Sequence, residues 1–132
     1  MSNVDVAVPT QIASVAREAC SRWRAVGEET EVIKWADLVG ELGLTACGAR
    51  NIPEAILVRR TNSVECLVED HADWREVCVG VSALVERGWD VTVLAPIEAL
   101  GVAHVGLRGT AARIQGWWSR EKLVRFSPVE LA

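Results

Sequence analysis

The clearest pattern of hydrophobic and polar positions lies in the middle of the chain, over residues 55–96. Two short runs rich in β-branched residues, 56–60 and 64–69, are separated there by Thr61 and Asn62. Asn tolerates the left-handed backbone of a tight turn, and two such runs are typical of an antiparallel β-hairpin. The pattern therefore predicts a hairpin at the start of this segment.

Side chains alternate between the two faces of a strand, so the hairpin is predicted to have two different faces. Val64, Cys66 and Val68 fall on an apolar face. The opposite face combines carboxylates with aliphatic side chains and one arginine: Glu54, Ile56, Val58, Arg60, Glu65, Leu67 and Glu69. We call this surface the acidic face.

A helix and a further strand are predicted to follow the hairpin. Asp70 or Asp73 can cap the helix, Asp73 with Glu76 three residues later resembles a capping box, and Gly88 is a typical helix stop. The run 91–94 is nearly all apolar, which indicates a strand covered on both faces. A strand, a helix and a strand connected in this way are normally parallel and right-handed. Apolar residues recur at helical spacing between the two helix signals: Trp74, Val77, Cys78, Val81, Leu84 and Val85.

The flanking segments complete the prediction of a single α/β domain over residues 1–132. It consists of a mixed sheet in which the β-hairpin is followed by βαβ-type crossovers, with an N-terminal helical pair. We expect a loose lead-in over 1–8 and a helical pair over 9–43, with one helix from Thr10 and a second from about Glu31 to Leu42. The sheet core is expected over 45–127. Its flanking elements are a short strand at 44–47, a helix at 97–105, a strand at 112–118 and an edge strand at 123–126.

Composition narrows the class of protein. Half of the residues are hydrophobic, which is enough for a packed core, and the net charge of −4 does not favour a general nucleic-acid binder. The sequence shows neither a membrane-spanning run nor a signal-peptide pattern at its start, and its four cysteines lack the close spacing of a zinc or redox motif. We therefore expect a cytoplasmic protein with reduced cysteines.

The order of predicted elements and five residues resemble the restriction-endonuclease-like, PD-(D/E)xK, family. Pro53 and Glu54 stand where that family has Pro-Asp, and Glu65-Cys66-Leu67 stands where it has Asp/Glu-x-Lys. The resemblance implies a Mg²⁺ site at Glu54 and Glu65, with Glu69 as a third catalytic carboxylate. Bound Mg²⁺ would activate water for attack on a phosphodiester. Leu67 replaces the family's lysine, and either Arg60 or a basic residue imported from elsewhere is expected to substitute for it.

Two hypotheses follow from the acidic face. In the first, the carboxylates are solvated strand residues or remnants of a lost site, and the chain is a non-catalytic binding or assembly module, as a homo-oligomer or with a protein partner. In the second, the chain is a metal-dependent nuclease, and Mg²⁺ is its cofactor. A likeness of fold does not decide between them.

Two other pairs of residues are candidates for contacts with a partner. Arg59 and Arg60 have the charge for a phosphate contact, although the acidic balance of the chain favours ordinary solvated positions for them. Trp117 and Trp118 are adjacent in a predicted strand and therefore point to opposite faces. If one of them is exposed near a sheet edge, it marks an interface; if both are buried, they are core residues.

Overall fold

The computed structural model describes the backbone of residues 3–44 and 51–132 and the side chains of residues 11–44 and 51–132. Within these residues, four helices and seven strands make an α/β fold, as the sequence predicts. The elements in chain order are α1 (Asn3–Ala25), β1 (Glu31–Lys34), α2 (Trp35–Leu42), β2 (Glu54–Val58), β3 (Ser63–Leu67), α3 (Trp74–Glu86), β4 (Asp90–Pro96), α4 (Leu100–Gly106), β5 (Arg113–Arg120), β6 (Leu123–Phe126) and β7 (Glu130–Leu131).

The strands of the described residues form one mixed sheet in the order β1-β2-β3-β4-β5-β6, and β7 also pairs with β5. The first three strands form an antiparallel meander, and β3, β4 and β5 are mutually parallel. Helices α3 and α4 make the two crossovers between the parallel strands, as the sequence predicts for the first of them. Both β6 and β7 run antiparallel to β5.

Helices cover both faces of the sheet. On one face, α2, α3 and α4 pack over the apolar side of the hairpin, where Leu57, Val64 and Cys66 are buried. On the opposite face, α1 alone covers the acidic side of the hairpin. Its buried residues there contact Ile56, Leu67, Leu94 and Trp117; they are Ile12, Val15, Ala16, Ala19 and Cys20.

The predicted hairpin is present, and its connection is longer than a two-residue turn. Strands β2 and β3 pair antiparallel with Ile56 opposite Glu65. A single turn of 3-10 helix over Arg59–Thr61 joins them and ends at Asn62, whose φ is 57°. The Asn62 side chain donates a hydrogen bond to the carbonyl of Gly88, at 2.6 Å. This residue therefore ties the hairpin turn to the end of α3.

Two predictions for the N-terminal region are wrong. Residues 31–34 form the edge strand β1 rather than the start of a helix, because Val32 and Ile33 are β-branched and pair with β2. Helix α1 begins at Asn3 and runs through Pro9, so residues 3–8 are not a loose lead-in. Pro9 is the seventh residue of this helix and lies beyond its first turn, so it removes one i→i−4 hydrogen bond. The predicted strand at 44–47 falls almost wholly outside the described residues.

Within the part of the chain that the structure describes, every helix is too short or too polar to cross a membrane.

Helices α2 and α3 approach closely because Gly80 has no side chain. A Cβ atom built on Gly80 would lie 2.8 Å from Cζ2 of Trp35, which is shorter than an ordinary contact between carbon atoms. Trp35 is 1% exposed and cannot move aside without disturbing the core. The glycine in the middle of α3 is therefore a packing requirement.

We expect Gly80→Ala to lower the free energy of unfolding by about 1–3 kcal/mol, because the added methyl group overpacks the α2–α3 contact. Gly40→Ala is the matched control, since Gly40 is also helical and a Cβ there meets nothing within 4 Å. The control should raise stability by about 0.5–1 kcal/mol through helix propensity. Urea unfolding measures both changes. If the two variants changed the free energy of unfolding equally and with the same sign, the close packing of α2 on α3 at Gly80 would be contradicted.

Candidate functional site at the acidic face

The structure brings Glu54 and Glu65 to the same face of the hairpin. Glu54 lies opposite Leu67 and Ile56 lies opposite Glu65, so the two acids are diagonal neighbours across the strand pair. Diagonal positions of this kind are about 7–8 Å apart. Glu69 lies beyond the end of β3 and is exposed. Among the described residues, no three His, Cys, Asp or Glu side chains are grouped closely enough to hold a metal ion.

Helix α1 covers two of the positions where the resemblance places the chemistry, Glu65 and Leu67. Leu67, in place of the family's lysine, is fully buried, and Glu65 is 7% exposed. The metal and catalytic roles of Glu54, Glu65 and Glu69 stay predictions. The geometry shows that Glu65 faces a helix and its side chains rather than an open cleft.

Two residues from the last turns of α1 act on Glu65: the Trp23 indole as a hydrogen-bond donor, and Arg22 as a neighbouring charge that projects onto the sheet. An Nη atom of Arg22 lies 3.8 Å from Glu65 Oε2 and donates a 3.1 Å hydrogen bond to the Gln115 side-chain oxygen. The guanidinium carbon of Arg22 lies 3.7 Å from the centre of the Phe126 ring. Arg22 therefore connects β3, β5 and β6 in one polar cluster.

An irregular edge holds Gln115 in place. β6 and β7 are separated by residues 127–129, which face two residues of β5 and thus form a bulge containing Pro128. In this bulge the Ser127 carbonyl accepts a 2.6 Å hydrogen bond from the Gln115 amide, and the Ser127 hydroxyl accepts one from the Gly116 N–H. The amide oxygen of Gln115 is thereby oriented toward Arg22.

The polar cluster borders a small cavity of about 210 Å³, lined by Arg22, Trp23, Glu65, Gln115 and Val129. Val129 is half exposed, so the cavity reaches solvent beside the bulge. Two buried atoms at the cavity, Arg22 Nε and Glu65 Oε1, have no hydrogen-bond partner among the described residues. Buried polar groups are normally paired, so these two atoms mark a place where a partner fits.

Burial raises the pKa of the Glu65 carboxyl above its ordinary value of 4.5, and the Trp23 indole and the Arg22 guanidinium only partly oppose this shift. The neighbouring Cys66 faces the opposite core, where burial raises its pKa to about 12. Cys20, Cys66 and Cys78 are free thiols, and Cys47 lies outside the described residues. The ionisation of Glu65 therefore depends on its enclosure beneath α1.

The structure gives Arg59 and Arg60 protein partners. Arg59 hydrogen-bonds the carboxylates of Glu31 and Glu41 at 2.9–3.1 Å, and Arg60 forms a two-point ion pair with Glu28. These arginines hold the pKa of Glu28 and Glu41 below the ordinary value. A phosphate at this place would compete with carboxylates that already bind. Arg60 also lies in the turn rather than on β2, and its substitution for the missing lysine stays a prediction.

The two adjacent tryptophans differ in exposure. Trp117 lies under α1 and is 5% exposed, which makes it a core residue. Trp118 points to the other face of the sheet and stays partly exposed. The predicted interface at this pair therefore depends on Trp118.

The sequence pattern does not indicate three polar residues at or beside the acidic face. Lys34 lies directly opposite Glu54 on β1, in a segment predicted as the start of a helix. Arg22 of α1 meets Glu65 and Gln115 only through the packing of α1 on the sheet. The available signal was the polar Gln115 inside an apolar strand, because buried polar side chains need partners.

No protein-family model matches the chain, and comparisons with curated proteins and with solved structures also find no match.

The shifted pKa of Glu65 predicts a specific pH dependence of stability. The folded state holds the Glu65 proton more tightly than the unfolded state, so the stabilising contribution is present at low pH and is lost as pH rises from 4.5 through the folded pKa. In Glu65→Gln the side chain has no proton to lose, so the variant does not show this loss of stability as pH rises. The variant should therefore gain stability relative to the wild type between pH 4 and neutral pH.

Thermal unfolding of both proteins from pH 4 to 7.5 measures this difference. Arg22 remains solvated in the variant because its side chain is 37% exposed. A matched control is Glu69→Gln, which changes an exposed carboxylate. A stability difference that is constant with pH, or that decreases as pH rises, would show that Glu65 does not bind its proton more tightly in the folded state.

Proposed function

We propose that this chain is a non-catalytic binding or assembly module built on a nuclease-like α/β scaffold. The observation that carries the proposal is the position of α1, which lies across the acidic face with Leu67 fully buried beneath it. The cavity beside Glu65 has a volume of about 210 Å³, which is too small for a DNA strand, and the nearby Arg22 charge opposes binding of a second cation.

The surface that supports a binding role is the tip of the β5–β6 hairpin. Trp118 lies opposite Arg125, and Arg120 lies opposite Leu123, so the four side chains share one face. Leu123 is 56% exposed, Trp118 is partly exposed and both arginines are exposed. We call these four residues the hairpin tip.

The composition of the hairpin tip indicates the chemistry of its partner. Tryptophan and arginine are the residues that most often dominate protein interfaces. Arg120 and Arg125 form no ion pair with any described residue. A protein surface that combines carboxylates with an apolar patch would match this charge and bury Trp118 and Leu123.

Three other kinds of contact at the hairpin tip agree less well with its structure: strand addition, a two-fold dimer and nucleic acid. Strand addition at the edge is disfavoured because β6 has four residues and is followed by the bulge at Pro128. A two-fold dimer through the hairpin tip would place like charges together. Nucleic acid would gain little from so few cations on a chain of net charge −4.

We expect the hairpin tip to bind a labelled synthetic peptide of alternating glutamate and leucine, with an affinity that falls as salt increases. The double variant R120E/R125E should weaken binding by about tenfold or more, because it replaces attraction by like-charge repulsion. Trp118→Ala should weaken it at all salt concentrations. Fluorescence anisotropy measures these affinities, and Arg108→Glu, another exposed arginine, is the control.

Three outcomes would contradict this proposal. Equal loss of binding in the Arg108 control would show a general charge effect. Tighter binding of a labelled single-stranded oligonucleotide than of the peptide would favour a nucleic-acid surface. Self-association in sedimentation velocity that the R120E/R125E variant abolishes would identify a second copy of the chain as the partner.

A second candidate function, a metal-dependent nuclease, is favoured by one observation. Glu54 and Glu65 share a face, and Lys34 lies opposite Glu54. A lysine on β1 would supply the positive charge that Leu67 lacks. This candidate requires α1 to move, since Glu65 is otherwise buried beneath it.

Calorimetry distinguishes the two candidates. For a non-catalytic module, titration with Mn²⁺ or Mg²⁺ through the low millimolar range should give no saturable heat, since Mg²⁺ needs several oxygen ligands in octahedral geometry. Incubation with plasmid DNA and Mn²⁺ should leave the DNA intact. A saturable heat that Glu54→Gln and Glu65→Gln both abolish, and that the exposed control Glu98→Gln retains, would support the nuclease instead.

A further inference from the structure

The cavity beneath the end of α1 brings together polar atoms that the fold itself leaves unpaired. Glu65 is 7% exposed and Gln115 is 6% exposed, so both side chains are buried in the interior of this protein. Glu65 Oε1 and Arg22 Nε are unpaired among the described residues, although other atoms of both side chains have partners. Leaving two buried polar atoms unpaired is costly, so their presence at one cavity points to a ligand.

We propose that this cavity is a binding site for a small, uncharged molecule that carries an amide-like group. Its N–H would donate to Glu65 Oε1, and its carbonyl oxygen would accept from Arg22 Nε–H. The proposal is independent of the hairpin tip, which lies on the opposite face of β5.

The cavity limits the ligand's size. Its volume of about 210 Å³ is below the range of about 300–1,000 Å³ that is typical of sites for drug-sized molecules. A carboxamide with one small ring, or a single nucleobase, is therefore the largest suitable class.

The charges of the cavity decide between a neutral and an ionic ligand. The Arg22 cation and the Glu65 carboxylate lie 3.8 Å apart and oppose each other's field. A simple anion would be repelled by Glu65, and a simple cation would be repelled by Arg22. A neutral group with one donor and one acceptor satisfies both unpaired atoms without adding a charge to a buried site.

The surrounding residues hold the two polar groups in fixed positions. Gln115, itself fixed by the Ser127 carbonyl, orients Arg22, and the Phe126 ring supports the guanidinium plane. Trp23 lines the same cavity and offers an aromatic surface. A site whose side chains are already fixed loses little entropy when a ligand binds.

The test is a titration of the isotope-labelled protein followed by NMR, with acetamide, nicotinamide and cytosine as probes. We expect saturable shifts of the Trp23 indole N–H and the Arg22 Nε–H signals with at least one of these probes. Acetate and guanidinium, which are of similar size but charged, should give no saturable shift at these signals.

Two pairs of variants locate the binding. Glu65→Leu removes the acceptor and should weaken binding by about tenfold or more, while Glu69→Leu, an exposed carboxylate of the same hairpin, should not. Val129→Phe narrows the cavity from its exposed rim without altering the buried cluster, and it should also abolish binding. Its control is Val105→Phe, at an exposed valine of α4.

Several results would overturn the proposal. The first is the absence of a saturable shift with every neutral probe. The second is equal binding of a probe by the wild type and the Val129→Phe variant. The third is stronger binding of acetate or guanidinium than of the neutral probes. A probe-soaked crystal that holds only ordered water between Glu65 and Arg22 would show a solvent site instead. Since Val129→Phe tests the cavity even if Glu65→Leu fails to fold, the proposal stays testable. None of these results affects peptide binding at the hairpin tip.

Discussion

The packing of α1 on the acidic face of the hairpin is the contact on which the functional interpretation depends. The helix buries Ile56 and Leu67 beneath its own apolar stripe, and the same placement encloses the carboxylate of Glu65. The hydrophobic gain from this contact outweighs the cost of desolvating one carboxylate, which Arg22 partly offsets. The helix therefore both completes the core and converts a solvated acidic surface into an enclosed polar cluster.

Much of the fold could be predicted from the sequence because its central elements carry strong local signals. The alternation over 64–68 and the helical stripe that begins at Trp74 specify the hairpin, the α3 crossover and which side chains share a face. Local signals failed at 31–34, where a short β-branched segment precedes a true helix. Strand β1 forms because β2 offers an unpaired edge, which is a tertiary condition that no local pattern contains.

The candidate site was less predictable than the fold, for a related reason. Strand periodicity correctly places Glu54 and Glu65 on one face, but it gives no information about what covers that face. Arg22 and Gln115 are far apart in sequence and meet only through the packing of α1 on the sheet. The same holds for Arg59 and Arg60, whose carboxylate partners lie in other elements.

The polar cluster also distinguishes this cavity from a simple packing defect. Replacing a buried ion pair by apolar residues of similar volume is often neutral or stabilising, so stability alone does not require Glu65 and Arg22 in this layer. The neighbouring positions Ile56, Leu67 and Leu94 follow the apolar pattern strictly. Trp117 Nε1 is also buried without a partner among the described residues, but only at this cavity do two such atoms, one a donor and one an acceptor, lie together, and a functional role for the cavity is the simplest explanation.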